Sequence, residues 1–237
     1  MKKALLILTI AAMSAPTLHA QDDEGVRLGI KASPNLSWLK SDTKGIESDG
    51  SKIGFTFGLV TEFPIGAEGK YRFATGLFLN YAGGKYKQAF TYTDANNAVL
   101  TKDLQSDLKL QYIELPLTMK LMTNEIGYMR YFGQLGFGTA FNLSAKSNFE
   151  TATVDQNGVI GGFSSFEDED VKDNIQPFRA SLIVGAGMEY NFSGSTTVQV
   201  GVNYNNGFTN LLKKTEIDGK RVKLLQNYLE LNLALFF

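Results

Sequence analysis

The sequence predicts an all-β chain: an eight-stranded antiparallel transmembrane β-barrel wound as an up-and-down meander. Three observations predict it. Apolar and polar residues alternate with period two in eight successive segments. Those segments reach the roughly 9–11 residues that a tilted transmembrane strand needs. The stretches between them are alternately short and long, as in barrels with short turns on one side of the membrane and long loops on the other.

The first residues come before the barrel. Met1-Lys2-Lys3 is a positive start, Ala4–Met13 is apolar apart from Thr9, and Leu18-His19-Ala20 ends on a small residue. This pattern is a secretory signal, with cleavage expected after Ala20, so residues 1–20 form a signal peptide and 21–237 the barrel domain. The apolar run is too short to span a bilayer as a helix. Cleavage removes Lys2, Lys3 and the single His19, leaving 21 of the 23 basic residues against 24 acidic ones, a net charge of −3. With no Cys in the chain and no His left, disulfides, thiolate metal sites and histidine-based catalysis are excluded. No enzyme activity, metal or cofactor is expected. The acidic balance, with a pI near 5.9, also argues against nucleic acid as a partner.

In chain order, the first strand alternates Val26, Leu28 and Ile30 with Arg27, Gly29 and Lys31. The second sets Ile53, Phe55, Phe57, Leu59 and Phe63 against Gly54, Thr56, Gly58 and Glu62. The third sets Phe73, Leu77, Leu79 and Tyr81 against Arg72, Ala74, Gly76 and Asn80. In the fourth, Ile113 through Leu121 at odd numbers oppose Tyr112, Glu114, Pro116, Thr118 and Lys120. Pro116 has no N–H to give a ladder, so a bulge or bend is expected there. Strands five to seven follow around Tyr131–Asn142, Phe178–Tyr190 and Thr197–Tyr204, and the eighth runs from Leu225 to Phe237.

Alternation alone also fits a soluble sandwich. Strand length, the alternating connections and aromatics at the ends of the apolar faces, such as Phe63, Tyr71, Tyr81, Tyr131 and Tyr190, select the membrane barrel. The stretches at 64–70, 123–127 and 193–195 are the short turns. Those at 40–51, 87–107, 146–176 and 205–221 are the long loops. Both termini then lie on the periplasmic side of a Gram-negative outer membrane.

Several of these segments resemble one family. Arg27-Leu28-Gly29-Ile30-Lys31 continuing to Pro34-Asn35-Leu36-Ser37, Tyr112-Ile113-Glu114-Leu115-Pro116-Leu117 followed by Lys120, the Gly76–Tyr81 run and the Gly133–Gly138 run are similar to the PorT-like outer-membrane β-barrels. The resemblance covers essentially all eight strands. It implies a small barrel in the outer membrane and an accessory link to type IX secretion, and it carries over no catalytic residue.

The inward parity gathers a charge network of Arg27, Lys31, Arg72, Lys120 and Arg179 with Glu62, Glu114, Glu189 and Glu230. An eight-stranded barrel of the OmpA/OmpX kind has a lumen just wide enough to be filled by side chains. Buried charges at that density are expected to pair across strands, Glu114 and Lys120 each with a neighbouring strand, and to plug the lumen. The alternative is a narrow pathway for ions or small solutes. Inward glycines, among them Gly76, Gly136, Gly187 and Gly201, make room for large inward side chains. Gly133, Gly136 and Gly138 lie within a strand with no helix after them, which fails the context of a nucleotide loop. The acidic run Glu167–Asp170 with Asp173 is either a solvated loop or a divalent-cation bridge to lipopolysaccharide or a partner. Lys213, Lys214, Lys220 and Arg221 are candidates for lipopolysaccharide phosphates, and Trp38 for an interface anchor. Phe237, a terminal aromatic after alternating apolar residues, resembles the signal read by the barrel-assembly machinery. The function expected is a structural or interaction barrel with a largely closed lumen. Its expected partners are outer-membrane lipid, lipopolysaccharide, the assembly machinery and components of a secretion system.

Overall fold

The computed structural model describes residues 25–237 except 67–68, 94–97, 155–159, 194–195, 214–215 and 218. The signal segment, His19 included, lies outside the described residues. Eight long strands build the wall: β1 (Arg27–Ser41), β2 (Ser51–Ile65), β3 (Tyr71–Thr93), β4 (Val99–Met122), β5 (Met129–Val154), β6 (Phe178–Ser193), β7 (Thr196–Gly207) and β8 (Leu224–Phe236). Each pairs antiparallel with the next. The ring closes where β1 meets β8, with Gly29 opposite Phe236 and Lys40 opposite Leu225. Closure leaves no free edge in the wall, which is what a sheet inside hydrocarbon requires.

The period-two pattern sorts the two faces as the sequence predicts. Leu28, Ile53, Leu77, Phe137, Val184 and Leu231 are exposed on the outside, whereas Ser33, Glu62, Arg72, Asn80, Lys120 and Ser181 are buried inside. An apolar exterior around a polar interior suits lipid as the solvent. Aromatics bound the apolar band. On β3 it runs from Tyr71 to Tyr81, roughly 33 Å of strand and about 25 Å of height at the usual tilt. Trp38 stacks on Tyr204 with ring centroids 6.2 Å apart at the upper border, and Tyr128 meets Tyr190 edge-on at 6.3 Å at the lower.

Two long stretches expected as loops are largely strand. β3 and β4 continue past the band as one hairpin, paired from Tyr71–Leu121 to Thr93–Val99. β5 extends likewise and takes up a further strand, Ile160–Asp170, while the short Ile46–Ser48 strand pairs with Tyr86–Gln88. The result is a five-stranded sheet standing clear of the barrel. Beyond the lipid neither face has to be apolar, so the alternation fades there although the ladder continues. The acidic run therefore lies at the end of a strand rather than in an open loop.

Pro116 also differs from expectation. No register shift occurs at it: Pro116 faces Gly138, and the β4–β5 bulge falls opposite Gln111 and Tyr112, with Leu143 the extra residue on β5. On the other side the β3–β4 ladder skips from Thr75–Leu117 to Phe78–Glu114, so the missing N–H interrupts the ladder without shifting it.

At the hairpin end the connections fold inward over the barrel mouth. Ile46, Ile175, Leu211, Leu212 and Val222 pack on Leu39, Leu108, Leu110, Tyr112 and Leu224 from the inner wall. Ile175 and Leu212 are joined by a β-bridge. This apolar cap is the one conventional hydrophobic core among the described residues, and it sits on top of the polar lumen.

Candidate functional site

The lumen is filled in layers. Nearest the termini, each of the eight strands contributes one side chain to a single layer: Arg27, Glu62, Arg72, Lys120, Phe132, Glu189, Gln199 and Phe236, from β1 to β8 in turn. The Lys120 ammonium is 1% exposed and donates to Glu62, to Glu189 at 2.9 Å and to Gln199. Arg27 lays both terminal nitrogens on Glu189 at 2.9 Å and pairs with Glu62 as well. Arg72 donates to the carbonyl of Gly25 at 3.4 Å. Two buried rings complete the layer: Phe132 lies 4.4 Å from the Lys120 ammonium, and Phe236 lies 4.7 Å from the Arg27 guanidinium. A methyl at Gly187 would come within 2.6 Å of the Phe132 ring, so that glycine makes room for an inward aromatic as expected.

One layer further in, Lys31 pairs with Glu230 and stands 4.7 Å over the ring of Phe78. Asn203 donates to Glu230 at 3.1 Å and accepts from Gln134. A cavity of about 50 Å³ bounded by Lys31, Glu114, Gln134 and Tyr228 lies beside this layer. That is room for a few ordered waters.

The third layer departs from the expected cross-strand ion pairs. Glu114 has no cation within ion-pair distance among the described residues. It accepts from Tyr228 Oη at 2.8 and 2.9 Å, from Asn80 at 2.9 Å and from Asn205 at 3.4 Å. Among the described residues Arg179 likewise meets no carboxylate. It donates to Asn205 at 2.6 Å and to the carbonyl of Gln226 at 3.1 Å, and its guanidinium lies 5.3 Å from the Tyr228 ring. Asn205 thus bridges the two charges, accepting from Arg179 and donating to Glu114. Neutral donors at short range satisfy a buried carboxylate without a direct cation, because hydrogen bonding to the charged form stabilises it.

All nine residues of the sequence-predicted network are inside the barrel. Arg27, Glu62, Lys120 and Glu189 are joined in the terminal layer, which Arg72 shares, and Lys31 and Glu230 form a second pair. Glu114 and Arg179 stand apart, connected through an amide. Sequence reasoning missed Phe132 and Phe236: each falls on the inward parity, but the bases they meet, Lys120 and Arg27, come from other strands. It also missed the cap, whose members come from three separate connections and share no period.

Among the described residues, no three carboxylates gather closely enough to hold a metal. Of the acidic run, Asp168 is held by Lys109 at 2.6 Å and Asp170 accepts from the backbone N–H of Lys172 at 2.9 Å. Phe237 is exposed at the rim and donates its N–H to the carbonyl of Leu28 at 2.9 Å.

The sequence pattern of one family, described as outer membrane protein beta-barrel domain, matches residues 19–191, nearly three quarters of the chain. The match does not single out the PorT-like barrels. No curated protein sequence matches. Among solved structures the chain is similar to Neisserial surface protein A, at 16% identity and a TM-score of 0.44, covering 90% of this chain and 98% of that one. It is also similar to the attachment invasion locus protein Ail of Yersinia pestis, at 17% identity and 0.37, covering 90% and 99%. A third is the outer membrane protein OprG of Pseudomonas aeruginosa, at 13% and 0.39, covering 90% and 94%. These scores lie below 0.5, so the eight-stranded architecture rests on the closed hydrogen-bond ladder and the family match.

Proposed function

The chain belongs to the outer membrane protein beta-barrel domain family, and from that premise we propose that it is a structural and interaction barrel rather than a pore. The wall is an outer-membrane anchor, the lumen is closed, and the sheet beyond the lipid band is what the cell displays. The observation that carries this reading is the filling of the lumen from end to end. A charged and aromatic layer from all eight strands closes one end, and an apolar cap closes the other. Opening either end would strip partners from buried charges or expose buried leucines, and both are costly. By contrast, among the described residues the Ile160–Asp170 strand pairs with β5 alone, and its other edge offers unpaired backbone groups to a partner.

Two measurements test the proposal. Planar-bilayer recording of the refolded chain should show no steps above the lipid background. Regular ion conductance would favour the narrow pore. The absence of Cys gives a clean background for the second. A cysteine placed at Gln105, in the hairpin sheet, should take an impermeant maleimide on intact cells. One placed at Glu125, in the β4–β5 turn, should react only after the outer membrane is opened. The reverse pattern would invert the orientation with both termini periplasmic. An accessory role in type IX secretion is a finer form of the same reading. It rests on the sequence resemblance, and co-purification of secretion components with the cross-linked barrel tests it.

A further inference from the structure

We propose that the outer wall carries a site for the phosphate of a lipid headgroup, in a groove where β2, β3, β4 and β5 leave the apolar band. The inference rests on the membrane reading above and names a lipid partner for one side of the barrel.

The groove has a local cause. The β2–β3 ladder ends at the Phe55–Tyr81 pair, and β2 then stays with β1 while β3 runs on into the hairpin. At the same height β5 bulges at Leu143, opposite Gln111 and Tyr112. The opening is about 320 Å³ and is lined by Ile53, Tyr81, Leu110, Lys52, Lys109 and Lys146.

Its two halves differ in chemistry. Ile53 is 82% exposed and continues the outward row of Phe55 and Phe57, so one half belongs to the apolar band. The other half holds three ammonium groups. Lys52 is paired with Asp107, and Lys109 with Asp168 at 2.6 Å. Lys146 is exposed and has no ion-pair partner among the described residues. Asp170 stands opposite it in the ladder, but its carboxylate is turned to the backbone of Lys172. Asp107, Asp168 and Asp170 balance the three lysines in formal charge, and Lys146 is the ammonium not held in an ion pair among the described residues. Tyr81 Oη accepts from Gln111 at 3.1 Å, which leaves its own proton to donate into the groove.

A free anion would use the ammonium half and gain nothing from the apolar half. A lipid with a phosphorylated headgroup uses both: its acyl chains cover Ile53 and Tyr81, and its phosphate reaches Lys146 and then Lys109 and Lys52. At the hairpin end of an outer-membrane barrel, that lipid is the phosphorylated glucosamine headgroup of lipopolysaccharide.

The test uses the full chain refolded in neutral lipid nanodiscs and supplied with bisphosphorylated lipid A, dephosphorylated lipid A or inorganic phosphate. Native mass spectrometry then counts the lipid that stays bound. Each lysine near an anionic surface contributes about fivefold in affinity. Lys146→Gln should therefore weaken retention of bisphosphorylated lipid A about fivefold, and the triple change of Lys52, Lys109 and Lys146 to Gln roughly a hundredfold. The same triple change at Lys40, Lys44 and Lys223, at the same end of the barrel, should have little effect. Equal retention of dephosphorylated lipid A, equal loss in the two triple variants, or displacement by inorganic phosphate at matched concentration would each overturn the proposal. Gel mobility before heating reports barrel closure independently. A variant that remains closed yet still holds the lipid refutes the site and leaves the barrel reading intact.

Discussion

Lys120→Met is the sharpest probe of the terminal layer. The ammonium is 1% exposed and is the donor shared by Glu62, Glu189 and Gln199. Methionine keeps the length and the contact with the Phe132 ring. It removes the charge, so two buried carboxylates are left to share Arg27. Breaking a buried pair in this way costs about 3–5 kcal/mol. Lys87→Met is the matched control: Lys87 pairs with Asp103 at 3.1 Å and Glu47 at 3.5 Å in the solvent-exposed sheet, where water and salt screen such pairs and their loss is felt little. The difference of about 3 kcal/mol is roughly a hundredfold in the unfolding equilibrium. Urea titration of the barrel in lipid vesicles, read as the fraction of compact band on an unheated gel, measures it. Adding Glu189→Gln to Lys120→Met should recover part of the loss, because one uncompensated carboxylate disappears. Equal midpoints for Lys120→Met and Lys87→Met would show that water reaches the layer freely, and the closed lumen would then have to be abandoned.

Three further outcomes follow from the same structure. The unheated chain should run faster than the boiled one on a denaturing gel, since the closed ladder keeps the barrel compact; identical mobility would contradict the ring. Gly187→Ala places a methyl 2.4 Å from the carbonyl oxygen of Val200 and 2.6 Å from the Phe132 ring, so it should cost about 1–3 kcal/mol in the same urea titration. Gly133→Ala, with nothing within 4 Å of the added carbon, should leave the midpoint unchanged. In the exposed sheet, the hydrogen bond between Lys109 and Asp168 holds the Asp168 carboxyl below its ordinary value and the Lys109 ammonium above its own. The Asp168 contribution is present above the ordinary aspartate range and is lost as pH falls through its depressed value. That of Lys109 is present below the ordinary lysine range and is lost as pH rises through its raised value. The pair therefore holds from about pH 4 to about pH 10. Carbon-detected NMR of the Asp168 carboxyl should show its midpoint rising in Lys109→Met, and an unmoved midpoint would mean the pair does not form in solution.

How far the sequence can be read depends on which solvent each segment meets. Inside the lipid band every residue has only two choices, hydrocarbon or lumen. Segments such as Arg27–Lys31 and Val198–Tyr204 therefore declare both faces, and all nine charged lumen residues could be placed inward from parity alone. Past Tyr81 that constraint ends. Tyr86, Gln88, Phe90 and Tyr92 still alternate with Lys87, Ala89 and Thr91, but both faces are wet, and the stretch reads as a loop although its ladder is continuous. Parity gives the face of a side chain and not its partner. Glu114 lies inward and meets Tyr228, Asn80 and Asn205 rather than a base, and which neighbours it finds depends on the stagger between strands far apart in the chain.

The apolar cap shows the same limit from the opposite side. Ile46, Ile175, Leu211, Leu212 and Val222 are single apolar residues in polar connections, with no period to link them. They meet only because the ring of strands brings the end of β1, the middle of β4 and the start of β8 to one mouth, where Leu39, Leu110 and Leu224 already face inward. The two seals draw on different forces: burial of hydrocarbon holds the cap, whereas paired charge and cation–π contact hold the terminal layer. A change that weakens one leaves the other in place. High salt screens only what water reaches, and the terminal layer is buried. Both closures should therefore persist across ionic strength, and a lumen opened at one end alone would remain blind.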